Sequence, residues 1–171
     1  MTLSEINSNE YAPFYEGYIH LNTEADLVST LQKNLHSTVE FFGKISEEKL
    51  LYRYEEGKWT SKDILLHIID AERIFTYRAL RISRGDRTPL PGFDEKPYVA
   101  AALANSRSIQ SLVEEYKIVR QATLALFQNL TPFQLQQIGT ASGFPVSVRA
   151  LGFIITGHEI HHLNVIAKRY L

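Results

Sequence analysis

No cysteine occurs anywhere in the 171 residues. Disulfides, thiolate metal ligands and a cysteine nucleophile are therefore excluded. The absence also fits a reducing cytoplasm, where the chain is expected to work. Any excess of one charge is lacking too: 18 Lys+Arg stand against 19 Asp+Glu, for a net charge of −1. Without a basic surplus, nucleic acid is not an expected partner, and no acidic tail suggests a charge-driven one. No apolar run approaches the ~20 residues that span a bilayer, so no membrane role is expected. The longest, around Leu151 to Ile155, soon meets His158 and Glu159. The opening residues, MTLSEINSNEYAPF, lack a basic stretch followed by an apolar one, so no signal peptide is expected. There is no internal repeat, no low-complexity tract and no strong strand signal.

What is present is ordinary globular material, 44% hydrophobic and 22% charged. The length suits one domain over residues 1–171, able to bury roughly two thirds of the surface of its unfolded chain. Four stretches carry helical period. The first runs from about Thr23 to Lys44 through Leu27, Leu31, Leu35, Thr38 and Phe42. The second runs from Thr60 to about Ser83, with Thr60 and Asp63 resembling a capping box and Gly85 just past its end. Ile64, His67, Ala71, Ile74 and Arg78 share its inner face. The third spans about Ser106 to Asn129 and the fourth about Ser147 to Tyr170. Long amphipathic helices without strands predict an all-α four-helix bundle. The segment from Gly85 to Asn105 holds Pro89, Pro91, Gly92 and Pro97, too much for a tight hairpin. It reads as a long crossover between helices 2 and 3. The Tyr-rich residues 1–22 are expected to pack over one end.

The strongest chemical signal is Gly157-His158-Glu159-Ile160-His161-His162. Residues four apart in a helix lie nearly over one another, so His158 and His162 point together into the apolar stripe while His161 falls near its edge. Two buried imidazoles need partners for their ring nitrogens, and a metal ion supplies one directly. The alternative is a pair of core histidines bonded to nearby polar groups. The same hexamer satisfies H-E-x-x-H, in which Glu159 would be the general base of a zinc protease. Such proteases draw a third ligand from downstream, and only nine residues follow His162, none of them His, Asp or Glu. The third ligand must come from upstream, and His67 lies on the inner face of helix 2. Three neutral imidazoles would leave positions open for water or substrate. An all-nitrogen set suits Zn²⁺ or Ni²⁺, with Fe²⁺ and Mn²⁺ remaining open.

His20 and His36 lack a partner at ligand spacing and read as solvated or structural. Asp70, one turn after His67, and Glu159, beside His158, are candidates to orient an imidazole, as is His161. For the two acids an exposed helical charge is the simpler expectation. Arg78 and Arg169 fall on inner stripes near helix ends, where they either snorkel to solvent or line a pocket for an anionic group. Snorkelling is the expectation.

With these residues in hand, the chain resembles the DinB/YfiT-like family of metal-dependent proteins. The resemblance covers roughly Tyr11 to Leu171. It rests on Gly57-Lys58-Trp59-Thr60-Ser61 leading into Leu66-His67-Ile68-Ile69-Asp70-Ala71-Glu72, on Leu90-Pro91-Gly92-Phe93-Asp94, and on Gly157 to His162. It implies a four-helix bundle with a long crossover, often a homodimer, and a three-histidine metal site at the positions of His67, His158 and His162. Relatives include thiol S-transferases that use bacillithiol or mycothiol, an isomerase and hydrolase-like members. Two functions follow as expectations. One is a metal-dependent enzyme acting on a small molecule, a transferase or hydrolase with a low-molecular-weight thiol as cosubstrate. The other is a non-catalytic, stress-related metal-binding bundle that acts through dimerisation or a partner.

Overall fold

The computed structural model describes Leu3, residues 6–23 and residues 26–171. Four long helices form the body: α2 (Leu27–Gly43), α4 (Ser61–Ser83), α6 (Ile109–Phe127) and α8 (Val148–Arg169). Short helices α1 (Glu16–Ile19), α3 (Glu47–Leu51), α5 (Glu95–Ala102) and α7 (Pro132–Leu135) connect or flank them. The expected four-helix bundle is present, with the crossover between α4 and α6.

Each long helix starts where a side chain can accept a free backbone N–H. Asp26, Thr60, Ser108 and Ser147 accept from Ser29, Asp63, Ser111 and Ala150. The Thr60–Asp63 capping box is complete in both directions. Asp26 also explains why α2 begins at Leu27 rather than near Thr23; residues 24 and 25 lie outside the described residues. Gly85 follows α4 at φ 83°, a left-handed position suited to glycine.

Two features depart from the sequence expectation. The crossover is partly helical, with α5 capped by Asp94. An antiparallel hairpin, β1 (Ile138–Ala141) with β2 (Phe144–Ser147), precedes α8. Its two-residue turn, Ser142-Gly143, has φ 52° and 83°, the pair of positive angles that matches strand twist. Leu90 of the crossover joins the hairpin edge, its N–H donating to Thr140 O (2.9 Å) and its carbonyl accepting from Ser142 N (3.0 Å). Crossover and hairpin turn thus meet over one side of the bundle. Among the described residues, no helix is long and apolar enough to cross a membrane.

The core divides in two. One apolar cluster holds Leu27, Leu31, Phe75, Ile82, Phe127, Leu151 and Ile155 among others. The second holds Phe42, Leu65, Ile69, Leu112, Val119 and Ile166. Buried polar groups from all four long helices lie at or beside the changeover from one cluster to the other: Asn34 and Thr38, His67 and Glu72, Arg120 and Thr123, and Thr156, His158 and Glu159. A polar belt therefore crosses the waist of the bundle.

The described part of the N-terminal extension packs against α8. Asn22 is buried there, donating to Phe153 O (3.0 Å) and accepting from the Thr156 hydroxyl (2.6 Å). Gly157 is the reason α1 can sit so close: any Cβ at that position would overlap the Tyr18 carbonyl. Further out, the Arg149 guanidinium donates to the Glu10 carboxylate (Nε···Oε2 2.7 Å). Burial alone would raise the Glu10 pKa, but bonds from Arg149 and Asn7 hold it down at about 2.

Candidate metal centre

His67 comes from the first half of α4, and His158 and His162 from successive turns of α8, the helix pair in closest association. Their rings meet. The His158 Nε2 lies 3.0 Å from His67 Nε2 and 3.1 Å from His162 Nε2. One ligand nitrogen from each ring lies within 4.8 Å of the others. His67 and His158 are buried and His162 is half-buried.

The chemistry of these three nitrogens tests whether a metal fits. Burial pushes the His67 imidazole down to about 4, with Glu95 pulling weakly the other way. Burial, helped by His67 and His161, pushes His162 down to about 3. His158 is driven well below its usual value, again by burial first and then by the other imidazoles. All three rings are therefore neutral at physiological pH, which is the form that ligates metal. A neutral ring nitrogen carries either one proton or one lone pair. At His158 Nε2, either can serve one neighbour well but not both. Three neutral nitrogens converging on a point are a donor set that a divalent ion satisfies and a hydrogen-bond network does not.

Around this point is a cavity of about 640 Å³ that touches all three histidines, a size suited to a small molecule. Its walls are rich in aromatic rings: Phe14, Tyr15, Tyr18, Trp59, Phe75 and Phe93. Trp59 packs on His67 at 4.9 Å between ring centroids, while Tyr18 and Phe75 meet His158 edge-on at 5.4 and 6.0 Å. Among the described residues, Glu95 is the one acidic group on the wall.

The other candidates are placed differently. His161 is partly exposed and its ring lies against Tyr18 (5.3 Å), outside the converging set. Asp70 is half-buried and ion-paired with Arg73 (3.3 Å), and among the described residues no hydrogen bond joins it to His67. His20 and His36 are exposed, as is Arg169, which sits over the Tyr54 ring.

Two expectations are corrected. Glu159 is not an exposed helical charge; it is fully buried. Its carboxylate accepts from Thr38 Oγ1 (2.8 Å), Asn34 Nδ2 (3.0 Å), Arg120 Nη2 (3.0 Å) and the Tyr116 hydroxyl. Arg120, also fully buried, grips Glu72 with two parallel bonds of 2.8 and 2.9 Å. These partners escape the periodicity argument because a stripe records which residues face inward, not which charges neutralise one another. Tyr116, Thr38 and Thr123 sitting on otherwise apolar stripes were the available signal. The second correction is Arg78, which does not snorkel. It is 3% exposed and donates to Pro91 O (2.8 Å) and Ser142 Oγ (3.2 Å). The hairpin and the crossover close over it, and neither shows in helical periodicity.

Comparison with known proteins agrees with this picture. The DinB superfamily model matches residues 30–166. A protein of Oceanobacillus iheyensis, provisionally named a metal-dependent hydrolase, is 25% identical over 139 residues, spanning 80% of this chain and 77% of its own. YfiT from Bacillus subtilis is described as a probable metal-dependent hydrolase with an unusual four-helix bundle topology. It superposes with a TM-score of 0.72 over 94% of this chain and 93% of its own. At 16% identity, that match concerns the fold. A DinB-like protein of the same organism, YjoA, gives a TM-score of 0.59 at 25% identity, over 83% of this chain and 87% of its own. The chain belongs to the DinB superfamily.

Proposed function

We propose that this DinB superfamily member is a metal-dependent enzyme for a small-molecule substrate, with His67, His158 and His162 as the protein ligands and a low-molecular-weight thiol of the bacillithiol kind as cosubstrate. The observation that carries the reading is the convergence of three neutral ring nitrogens on a point that opens into a substrate-sized cavity. Zn²⁺ or Ni²⁺ suits this donor set. Bound there, a divalent ion supplies Lewis acidity, lowering the pKa of a thiol or water brought beside it.

The protein's own groups do the rest. Burial keeps the imidazoles deprotonated, and the Trp59, Tyr18 and Phe75 rings wedge them in place. The aromatic walls exclude water from an electrophile held against them. The chain contributes no thiol of its own, so the nucleophile comes from the cosubstrate. A thiol held beside such an ion would lose its proton to solvent, and its attack on a halogenated aromatic would expel halide, so the transfer would need little acid–base help from a wall that has one acidic side chain among the described residues. Hydrolysis is a second reading, favoured by the names of the relatives; Glu95 would then take the proton from the attacking water. A bundle that merely stores metal predicts an occluded site, and a cavity reaching all three rings argues against it.

Elemental analysis of untagged protein should find about one divalent ion per chain. Metal-loaded protein with bacillithiol and a halogenated aromatic should turn over, and the His67→Ala protein should not. Equal rates for the two would overturn the catalytic reading. Product formation without thiol that falls on Glu95→Gln would select hydrolysis instead.

A further inference from the structure

Glu95 opens α5 and lines the histidine cavity, where neither lysine nor arginine borders the space among the described residues. The helix end does not need its charge. Asp94 already caps α5, accepting from the Lys96 N–H (3.0 Å). The acids of α4 and α8 nearest the histidines, Asp70, Glu72 and Glu159, are each paired with an arginine. Among the described residues, Glu95 has no hydrogen bond or ion pair of its own. It is exposed, so a ligand entering the cavity can reach it. Burial first and then the nearby Glu95 charge hold the Tyr18 phenol above its usual value, and the same charge partly offsets the burial that lowers His67. The carboxylate therefore stands close to the histidine end. Around it the wall is aromatic, with Trp59, Tyr18 and Phe93 among its rings. An unpaired carboxylate among π-systems attracts cations from both sources. A plain cation there would be repelled by a divalent ion held at the histidines. The repulsion is offset when the same molecule turns an anionic donor towards them. In the transfer reading that donor is the thiol sulfur, and Glu95 otherwise has no task in it.

We infer that Glu95 is an ammonium subsite of the cavity, and that the thiol cosubstrate is an aminothiol, with a free, protonated amine near its sulfur. The ammonium sits at Glu95, the sulfur faces the three histidines, and the electrophile lies along the remaining rings. An N-acylated thiol of similar shape brings no charge and loses the contact. The inference deepens the enzyme reading and rests on it for the thiol. The ammonium subsite rests on the cavity wall alone.

The chain's single tryptophan, Trp59, lines the same cavity and reports its occupancy. Its fluorescence would be followed while metal-free protein is titrated with phenethylamine, neutral phenethyl alcohol and hydrocinnamate. The amine should bind about fivefold or more tighter than the alcohol, and the acid more weakly than either. The amine's advantage should vanish in Glu95→Gln. Equal binding of amine and alcohol by metal-free wild type would overturn the inference, a comparison that needs no variant to fold. Cobalt(II)-loaded protein then reports the thiol through its sulfur-to-metal absorption band. Cysteamine should bind about fivefold or more tighter than N-acetylcysteamine, and Glu95→Gln should remove most of that ratio. Equal binding of the two thiols would overturn the aminothiol assignment. So would a ratio unchanged in Glu95→Gln, which would trace the advantage to the amine's own ligation or acidity. Sulfur bands without an amine preference in either experiment would remove the subsite and leave the metal reading standing. An amine preference lost in Glu95→Gln, in a protein that binds no metal, would sink the metal reading and keep the subsite.

Discussion

His158 and Glu159 are consecutive residues of α8, both buried in the polar belt, yet they enter two differently made regions. The Glu159 side is closed. Its carboxylate, the Arg120 guanidinium, the Glu72 carboxylate and the Tyr116 phenol use one another as partners and ask nothing of solvent. The His158 side is open. Its three ring nitrogens point at each other without being able to satisfy each other, and a cavity adjoins them. The two buried arginines among the described residues also differ: Arg120 is paired with two carboxylates, whereas Arg78 donates to a carbonyl and a hydroxyl. Burial of polar groups is common to both regions. Incomplete partnering is what separates a ligand site from a structural joint.

The contrast can be broken at its strongest point first. Arg120→Met leaves two carboxylates facing each other in the core and should cost about 3–5 kcal/mol in denaturant unfolding, the range for an orphaned buried charge. A loss below about 1 kcal/mol would mean the network is not the closed joint described. His158→Ala attacks the open side. It should lower affinity for Zn²⁺ or Ni²⁺ by about a hundredfold or more while leaving the stability of metal-free protein within about 1.5 kcal/mol of wild type, since a ligand is lost but no satisfied partner is stranded. Calorimetric titration and thermal melts would show the two effects separately.

Gly157→Ala tests the junction between the regions and the N-terminal segment. The new methyl meets the Tyr18 carbonyl, so α1 must shift, at a cost of about 1–3 kcal/mol typical of overpacking. Trp59 fluorescence should respond less to cavity ligands if Tyr18 moves with it. The acid limb of stability sharpens the comparison further. His67 and His162 titrate near 4 and 3 when folded, below the usual value of about 6.5. The unfolded chain therefore binds more protons between those limits, and stability rises with pH across that window. Metal-free protein should be fully stabilised by these groups above about pH 6.5 and progressively lose that stability as the pH falls towards 3. A double His67→Ala, His162→Ala protein should show a flatter profile. The smallest effect belongs to His161→Ala. Its ring is outside the converging set, so metal affinity should change by less than about threefold, within the scatter of surface changes.

Much of this was legible in the sequence because helical period is a strong signal. It placed the four long helices within a few residues and put His67, His158 and His162 on facing stripes. The hairpin was missed because each strand has four residues and Pro145 interrupts the second. The Ser142-Gly143 pair was the clue to its turn. The fates of Glu159 and Arg78 were not legible because they depend on what the crossover and neighbouring helices bring across. A period of 3.6 reports direction from one helix axis; it carries nothing about the charge arriving from the far side.

One consequence of the Gly157 contact concerns how such a cavity can diversify. Part of the wall, Phe14, Tyr15 and Tyr18, belongs to a segment anchored by a backbone-to-backbone approach at Gly157 and by the Asn22 amide, not by those three rings themselves. Their identities can change while the anchor, the bundle and the histidines stay as they are. On the proposed reading, any ligand preference of this cavity would be written partly in a replaceable panel, exchangeable without rebuilding the frame that positions the three histidines.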